Sequence, residues 1–128
     1  MPKKALETLS EPMFYVLMAL KGQNLCGADI VTWVNNRTQG RVALGPGTLY
    51  TILPKLTESG MLHEVSTEGR RRTYEITEQG RALYEAECAR LRRQVADMEA
   101  EEREHTPFRK EVTDMHNILR SLPVIIFV

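Results

Sequence analysis

The fold is decided by residues 45–80, which read GPGTLYTILPKLTESGMLHEVSTEGRRRTYEITEQG. The first part of this stretch carries a stripe of apolar residues at helical spacing. The members of the stripe are Leu49, Ile52, Leu53 and Leu56. Pro46 suits the first position of a helix, where its missing N–H would have no partner, and Ser59-Gly60 can end it. Pro54 lies inside this helix, where it removes one backbone hydrogen bond and should bend it.

The second part of the stretch predicts a β-hairpin. Residues 61–65 and 70–76 are short strand candidates, and residues 66–69 form the turn between them. In the second strand Arg72, Tyr74 and Ile76 alternate onto one face. Thr77 is a good N-cap for a following helix.

Two further helices are predicted before residue 45. Helix 1 spans residues 10–21, with Ser10 as its N-cap, and helix 2 opens at Gly27. Ile30, Trp33 and Val34 share one face of helix 2. Three helices followed by a hairpin are the element order of a winged helix-turn-helix, in which the third helix enters the major groove of DNA.

A long helix is expected from residue 78 to about residue 103, because this segment has no proline and its one glycine lies in the first turn. Its apolar residues recur at spacings of 4, 3, 4 and 3, as in a coiled-coil seam. They are Tyr84, Cys88, Leu91, Val95 and Met98. The chain has no second long amphipathic helix to cover this seam, so we predict a homodimer, with an intramolecular contact as the alternative.

The predicted fold is mainly α with a small β-hairpin, a winged helix-turn-helix plus a long C-terminal dimerisation helix. We divide the chain into a DNA-binding domain (1–77), a dimerisation helix (78–104) and a C-terminal tail (105–128). The tail ends in an apolar run from residue 122, and we expect it to pack on the body of the protein or on the partner.

Composition excludes several classes of protein. The formal net charge is zero and residues 1–77 have a surplus of only two positive charges, so a DNA-binding face must come from local placement. The longest terminal apolar stretch is too short to cross a bilayer, and we expect a soluble, cytoplasmic protein. The two cysteines form neither a disulfide framework nor a metal-ligand spacing. His63, His105 and His116 have no metal-ligand spacing either, so we predict no metal, no cofactor and no catalysis.

Two segments carry the chemistry of DNA binding. The glycines of residues 45–50 allow close approach to a backbone, and the free N–H groups of the first helical turn can bind a phosphate together with the Thr48 hydroxyl. Further phosphate or base contacts are expected from Tyr50, Thr51 and Lys55. Arg70, Arg71 and Arg72 lie near the hairpin tip and suit phosphates or the minor groove. The alternatives are a capped core helix and a solvated run of charge.

Several of these motifs resemble the PadR family of transcriptional regulators. Pro46-Gly47-Thr48-Leu49-Tyr50 and Ser59-Gly60-Met61-Leu62 are similar to its recognition helix and first wing strand. Residues 71–80 resemble its second wing strand and the Thr-x-x-Gly start of its fourth helix. Gly27-Ala28-Asp29-Ile30 resembles the opening of its second helix. The resemblance covers about residues 9–100.

This resemblance implies a dimeric repressor that binds a palindromic operator in double-stranded DNA and is released by a small hydrophobic molecule. It adds the helix-2 start (Gly27, Ala28) and Pro46-Gly47 to the expected DNA contacts. The short C-terminal part resembles the smaller subfamily. The chain departs from the family at Ala28, where a tyrosine is usual, and its one tryptophan, Trp33, lies on helix 2 rather than on the long helix.

Two other functions are compatible with the same residues. A winged-helix module that binds protein rather than DNA would agree with the zero net charge and with Ala28. A thiol-based redox sensor would need Cys26 or Cys88 to be accessible.

Overall fold

A computed structural model describes residues 9–105 of the chain. Its elements, in chain order, are α1 (Glu11–Leu20), β1 (Leu25–Cys26), α2 (Gly27–Thr38), α3 (Pro46–Glu58), β2 (Leu62–Glu68), β3 (Arg71–Ile76) and α4 (Glu78–Glu104). The protein is mostly helical with a small antiparallel sheet, as the sequence predicts. The chain divides into two compact units between Cys88 and Ala89, within α4.

The core of the first unit is formed by the apolar stripes of the first three helices. Val16 and Leu17 of α1, Ile30 and Val34 of α2, and Leu56 of α3 are fully buried. Burying a side chain of this size stabilises a fold by about 1.5–3 kcal/mol. The predicted stripe of α3 is therefore a core face, and the opposite side of this helix is left for solvent or a ligand.

Local signals set the helix ends where the sequence predicts them. The Ser10 hydroxyl accepts a hydrogen bond from the Met13 N–H (3.3 Å) and caps α1. Helix α2 ends at Gln39, whose φ of 52° is left-handed. Helix α3 begins at Pro46 and continues through Pro54, whose ring lies on the exposed side.

The sheet differs from the predicted hairpin in two ways. It has three strands in the order β1-β3-β2, because Leu25 and Cys26 pair with Tyr74 and Thr73. Cys26 thus lies in a strand and not in a helix, and a strand of two residues is too short to show periodicity. The prediction of a turn over residues 66–69 was also wrong, since β2 runs to Glu68 and the turn is formed by Gly69 (φ 60°) and Arg70.

Helix α4 begins against the base of the wing, the hairpin formed by β2 and β3. The Thr77 hydroxyl accepts a hydrogen bond from the Gly80 N–H (3.0 Å) and donates to the Gly60 carbonyl (2.6 Å). The Thr77 N–H donates to the Met61 carbonyl (3.0 Å). Thr77 therefore caps α4 and joins it to the start of β2, which explains the Thr-x-x-Gly pattern in physical terms.

The predicted seam of α4 has two different environments. Tyr84 is buried (8% exposed) and stacks on Phe14 of α1 at a ring distance of 5.1 Å, and Cys88 packs partly on the same core. Leu91, Val95 and Met98 are 36%, 49% and 53% exposed. Tyr84 and Cys88 thus contact the chain's own core, because the first turns of α4 complete the first unit.

In the part of the chain that the structure describes, no helix is long and apolar enough to cross a membrane. Residues 106–128, which contain almost all of the predicted C-terminal tail and His116, lie outside the described residues.

Candidate nucleic-acid interface

The first turn of α3 presents free backbone N–H groups. Its N-cap is Gly45, which has no side chain, and no side chain caps the helix. Pro46, Gly47 and Thr48 are exposed, and the turn contains no acidic residue. The N–H groups of Gly47 and Thr48 thus face solvent at the positive end of the helix dipole, where an anion is favoured.

The outward side of α3 continues this exposed surface. Tyr50 is 79% exposed, the largest fraction among the exposed large apolar side chains of residues 9–105. Thr51 and Lys55 are exposed as well, and the Thr51 hydroxyl donates to the Gly47 carbonyl (3.0 Å). The predicted contact residues of α3 therefore all lie on the side opposite its buried stripe.

The three arginines of the wing are exposed, but they are not equivalent. The Arg71 guanidinium lies 3.1 Å from an Asp29 carboxylate oxygen at the start of α2. Interaction with the Cys26 thiol, and then with the Asp29 carboxylate, raises the pKa of Arg71 above its usual value. Among residues 9–105, Arg70 and Arg72 have no ion-pair partner. The free positive charges of the wing are thus Arg70 and Arg72.

A groove separates α3 from the wing. Its floor and sides are mainly apolar, and its rim includes the three wing arginines. The apolar members that face it from the helices are Ala28, Val31, Pro46, Tyr50 and Pro54. The fold thus brings the start of α2, α3 and the wing together around one surface, which we call the α3–wing face.

The α3–wing face includes most of the predicted DNA-contact residues. Gly27, Ala28, Pro46, Tyr50 and Arg70–Arg72 line the groove. Thr48, Thr51 and Lys55 are exposed on α3 outside the lining. Sequence analysis missed Val31 and Pro54, although the spacing of four between Tyr50 and Pro54 places them in one row of the helix. It also missed Asp29 as the partner of Arg71, which no local pattern indicates.

The two cysteines and the described histidines form no metal cluster. Cys26 is buried and Cys88 is half-buried. His63 lies 3.4 Å from a Glu75 carboxylate oxygen on the neighbouring strand. Within residues 9–105, no three side chains of metal-ligating type lie together in a way that could hold an ion.

Comparison with known protein families identifies the chain. The model of the Transcriptional regulator PadR-like family matches residues 16–86, which span α1 to the first turns of α4. The chain belongs to the PadR-like family. Members of this family regulate transcription and are not enzymes. A comparison with curated proteins gives no match.

Solved structures share the PadR-like fold. A transcriptional regulator from Clostridium thermocellum is 24% identical, with a TM-score of 0.59 over 68% of this chain and 87% of its own. A PadR family regulator from Clostridium difficile is 17% identical, with a TM-score of 0.62 over 71% of this chain and 97% of its own. Bacillus subtilis PadR, solved in complex with operator DNA, is 20% identical, with a TM-score of 0.52 over 58% of this chain and 44% of its own.

Proposed function

We propose that this PadR-like protein is a dimeric, sequence-specific DNA-binding regulator whose α3–wing face contacts the operator. The observation that carries the proposal is the arrangement of that face. A helix N-terminus with free N–H groups and a 79% exposed tyrosine lies across a groove from two unpaired arginines. Both features suit a phosphate backbone, and a winged helix turns this end of its third helix toward DNA.

The known relatives support the same assignment. Bacillus subtilis PadR was crystallised with its operator, and its winged-helix part shares this fold. We assign phosphate contacts to the N-terminus of α3 (Gly47, Thr48), to Lys55, and to Arg70 and Arg72. We place Gly27, Ala28, Pro46, Tyr50 and Thr51 beside the bases or the adjoining backbone. Arg71 is the weakest candidate, because Asp29 already pairs with it.

The DNA-binding proposal is tested by selection from a random duplex pool, followed by fluorescence anisotropy on the recovered sequence. We expect the selected sites to contain two inverted half-sites, because a two-fold symmetric dimer reads a palindrome. Specific regulators bind their sites about 10³–10⁷ times more tightly than other DNA. Failure to enrich any sequence would favour the alternative of a winged-helix module that binds protein.

We further propose that the dimer forms through the exposed part of α4. Leu91, Val95 and Met98 recur at spacings of 4 and 3, and each is at least 36% exposed. An apolar stripe on an otherwise charged helix is stable in water only when a partner covers it. A second copy of α4 carries the matching stripe, and the domain boundary that we draw between residues 77 and 78 follows from this role.

A charged substitution in the stripe should separate the two copies. We expect Val95→Asp or Leu91→Asp to convert a dimer into a monomer in sedimentation velocity, because the buried carboxylate would have no partner in the seam. The matched control is Ala96→Asp, which places the same charge on the opposite side of the helix. A Val95→Asp protein that sediments as a dimer would locate the interface elsewhere.

The regulator is proposed to act as a repressor that a small hydrophobic molecule releases. The family resemblance noted in the sequence supports this part of the proposal, and the apolar stripe of α4 would offer such a molecule an apolar surface in the dimer. A reporter gene behind the selected operator tests it: expression should fall when the protein is present and recover when the effector is added. Expression that rises with the protein would identify an activator instead.

A further inference from the structure

The exposed side of α3 has an unusual composition for a helix that reads bases. The residues of its N-terminal half that face solvent are Pro46, Gly47, Thr48, Tyr50, Thr51 and Pro54. This half contains no arginine, lysine, asparagine, glutamine or acidic residue. The first charged residue of α3 is Lys55, at the edge of this side and one turn beyond Thr51.

The missing residue types are those that read bases by paired hydrogen bonds. Arginine or lysine reads guanine, asparagine or glutamine reads adenine, and a carboxylate reads cytosine. The other readout available in the major groove is apolar contact with the C5-methyl group of thymine, made by alanine, the methyl group of threonine, or an aromatic ring. The outward side of α3 and the start of α2 offer all three kinds of contact.

Three side chains are placed to make such contacts. The Tyr50 ring is 79% exposed at the groove. The Thr51 hydroxyl donates its hydrogen to the Gly47 carbonyl, so the methyl group is the part of this side chain left for a partner. Ala28 is exposed and lines the same groove from the start of α2. Pro54, also exposed, extends this apolar surface by one helical turn.

We infer that this protein recognises its operator through thymine methyl groups, with Tyr50, Thr51 and Ala28 as the specificity-determining residues. This inference rests on the proposed function, because it concerns the DNA that the α3–wing face would bind. The charged groups around the face supply the sequence-independent part of the affinity: Arg70, Arg72 and the helix N-terminus hold the phosphates. Sequence preference then comes from apolar contact and not from hydrogen bonds to base edges.

Deoxyuridine substitution tests the inference directly. The probe is the operator duplex recovered by the pool selection, with thymines of the half-sites replaced by deoxyuridine, which pairs identically and lacks only the methyl group. We expect each contacted methyl to contribute about fourfold in affinity, the factor for burying one such group. The matched control carries deoxyuridine at thymines outside the protected footprint, and it should bind like the unmodified duplex.

Protein variants assign the contact to its side chains. The readout is the ratio of the affinities for the thymine and uracil duplexes, which a merely structural change would leave constant. Thr51→Ser removes the methyl and should lower the ratio, whereas Thr51→Val keeps a methyl and should preserve it. Tyr50→Ser should lower the ratio, whereas Tyr50→Phe should preserve it, because the ring and not the hydroxyl makes the contact.

The outcomes separate this inference from the proposed function. Selective binding of the recovered operator with a thymine-to-uracil ratio near one overturns the methyl readout and leaves DNA binding intact. A ratio above one that survives in Tyr50→Ser, Thr51→Ser and Ala28→Gly overturns the assignment to these residues. A protein that selects no DNA sequence at all overturns the proposed function itself.

Discussion

Replacing Gly80 by alanine should be the most damaging small substitution in the first unit. A Cβ atom at this position would lie 2.2 Å from the Met61 carbonyl oxygen and 2.7 Å from a side-chain carbon of Ile76. The carbonyl belongs to the backbone and accepts hydrogen bonds from Thr77, so it cannot move without breaking the start of α4. We expect Gly80→Ala to lower the free energy of unfolding by about 3 kcal/mol, at the upper end of typical overpacking costs.

The sign of this effect separates close packing from helix propensity. Alanine is normally preferred over glycine inside a helix by about 1 kcal/mol, so propensity alone predicts that Gly80→Ala is stabilising. Urea unfolding followed by circular dichroism measures the change. The matched control is Gly22→Ala, because a Cβ atom there meets nothing within 4 Å, and it should change stability by less than about 0.5 kcal/mol. A Gly80→Ala protein as stable as the wild type would show that α4 does not pack on Met61 as described.

Replacing Arg70 and Arg72 together by glutamine should have the largest effect on DNA affinity. Both side chains are exposed, and neither has an ion-pair partner among residues 9–105, so DNA phosphates need not displace one. Each lost phosphate contact makes the slope of log affinity against log salt about 0.9 shallower, which is about 3.6 for a dimer with two wings. A charge-assisted hydrogen bond contributes about 1.5–3 kcal/mol, so we expect a loss on the order of 100-fold.

Two comparisons make this experiment specific to the wing. Lys21→Gln with Arg81→Gln removes the same charge from residues that lie outside the α3–wing face, and it should leave the salt slope nearly unchanged. Arg71→Gln should reduce the slope less than either Arg70→Gln or Arg72→Gln, because Asp29 already neutralises Arg71. Equal slopes for the wild type and the Arg70/Arg72 variant would remove the wing tip from DNA binding.

Much of the fold follows from patterns that lie within a few residues of one another. The apolar stripe of α3, the Ser10 cap of α1 and the cap at Thr77 are each complete within one or two helical turns. The hairpin is recognisable because its period changes at Gly60 and its turn contains a glycine. These signals are local, so they specify the elements and their order, and with the order they indicate a winged helix.

The candidate site could be predicted only in part, because exposure and pairing depend on distant residues. Sequence analysis found Tyr50 and the wing arginines, but it treated Arg70, Arg71 and Arg72 as equivalent. Asp29 distinguishes Arg71 from its neighbours and lies 42 positions before it in the chain. The strand β1 is likewise visible only through its pairing with β3, since two residues have no period of their own.

The seam of α4 shows the same division most clearly. Its spacing is written in the sequence, which establishes a helix with one apolar stripe but not the surface that covers each part of that stripe. Tertiary packing assigns Tyr84 to the chain's own core, where Phe14 stacks on it, and leaves Leu91, Val95 and Met98 exposed. The reason is that periodicity depends on neighbours along one helix, whereas burial depends on which other elements the fold brings against it.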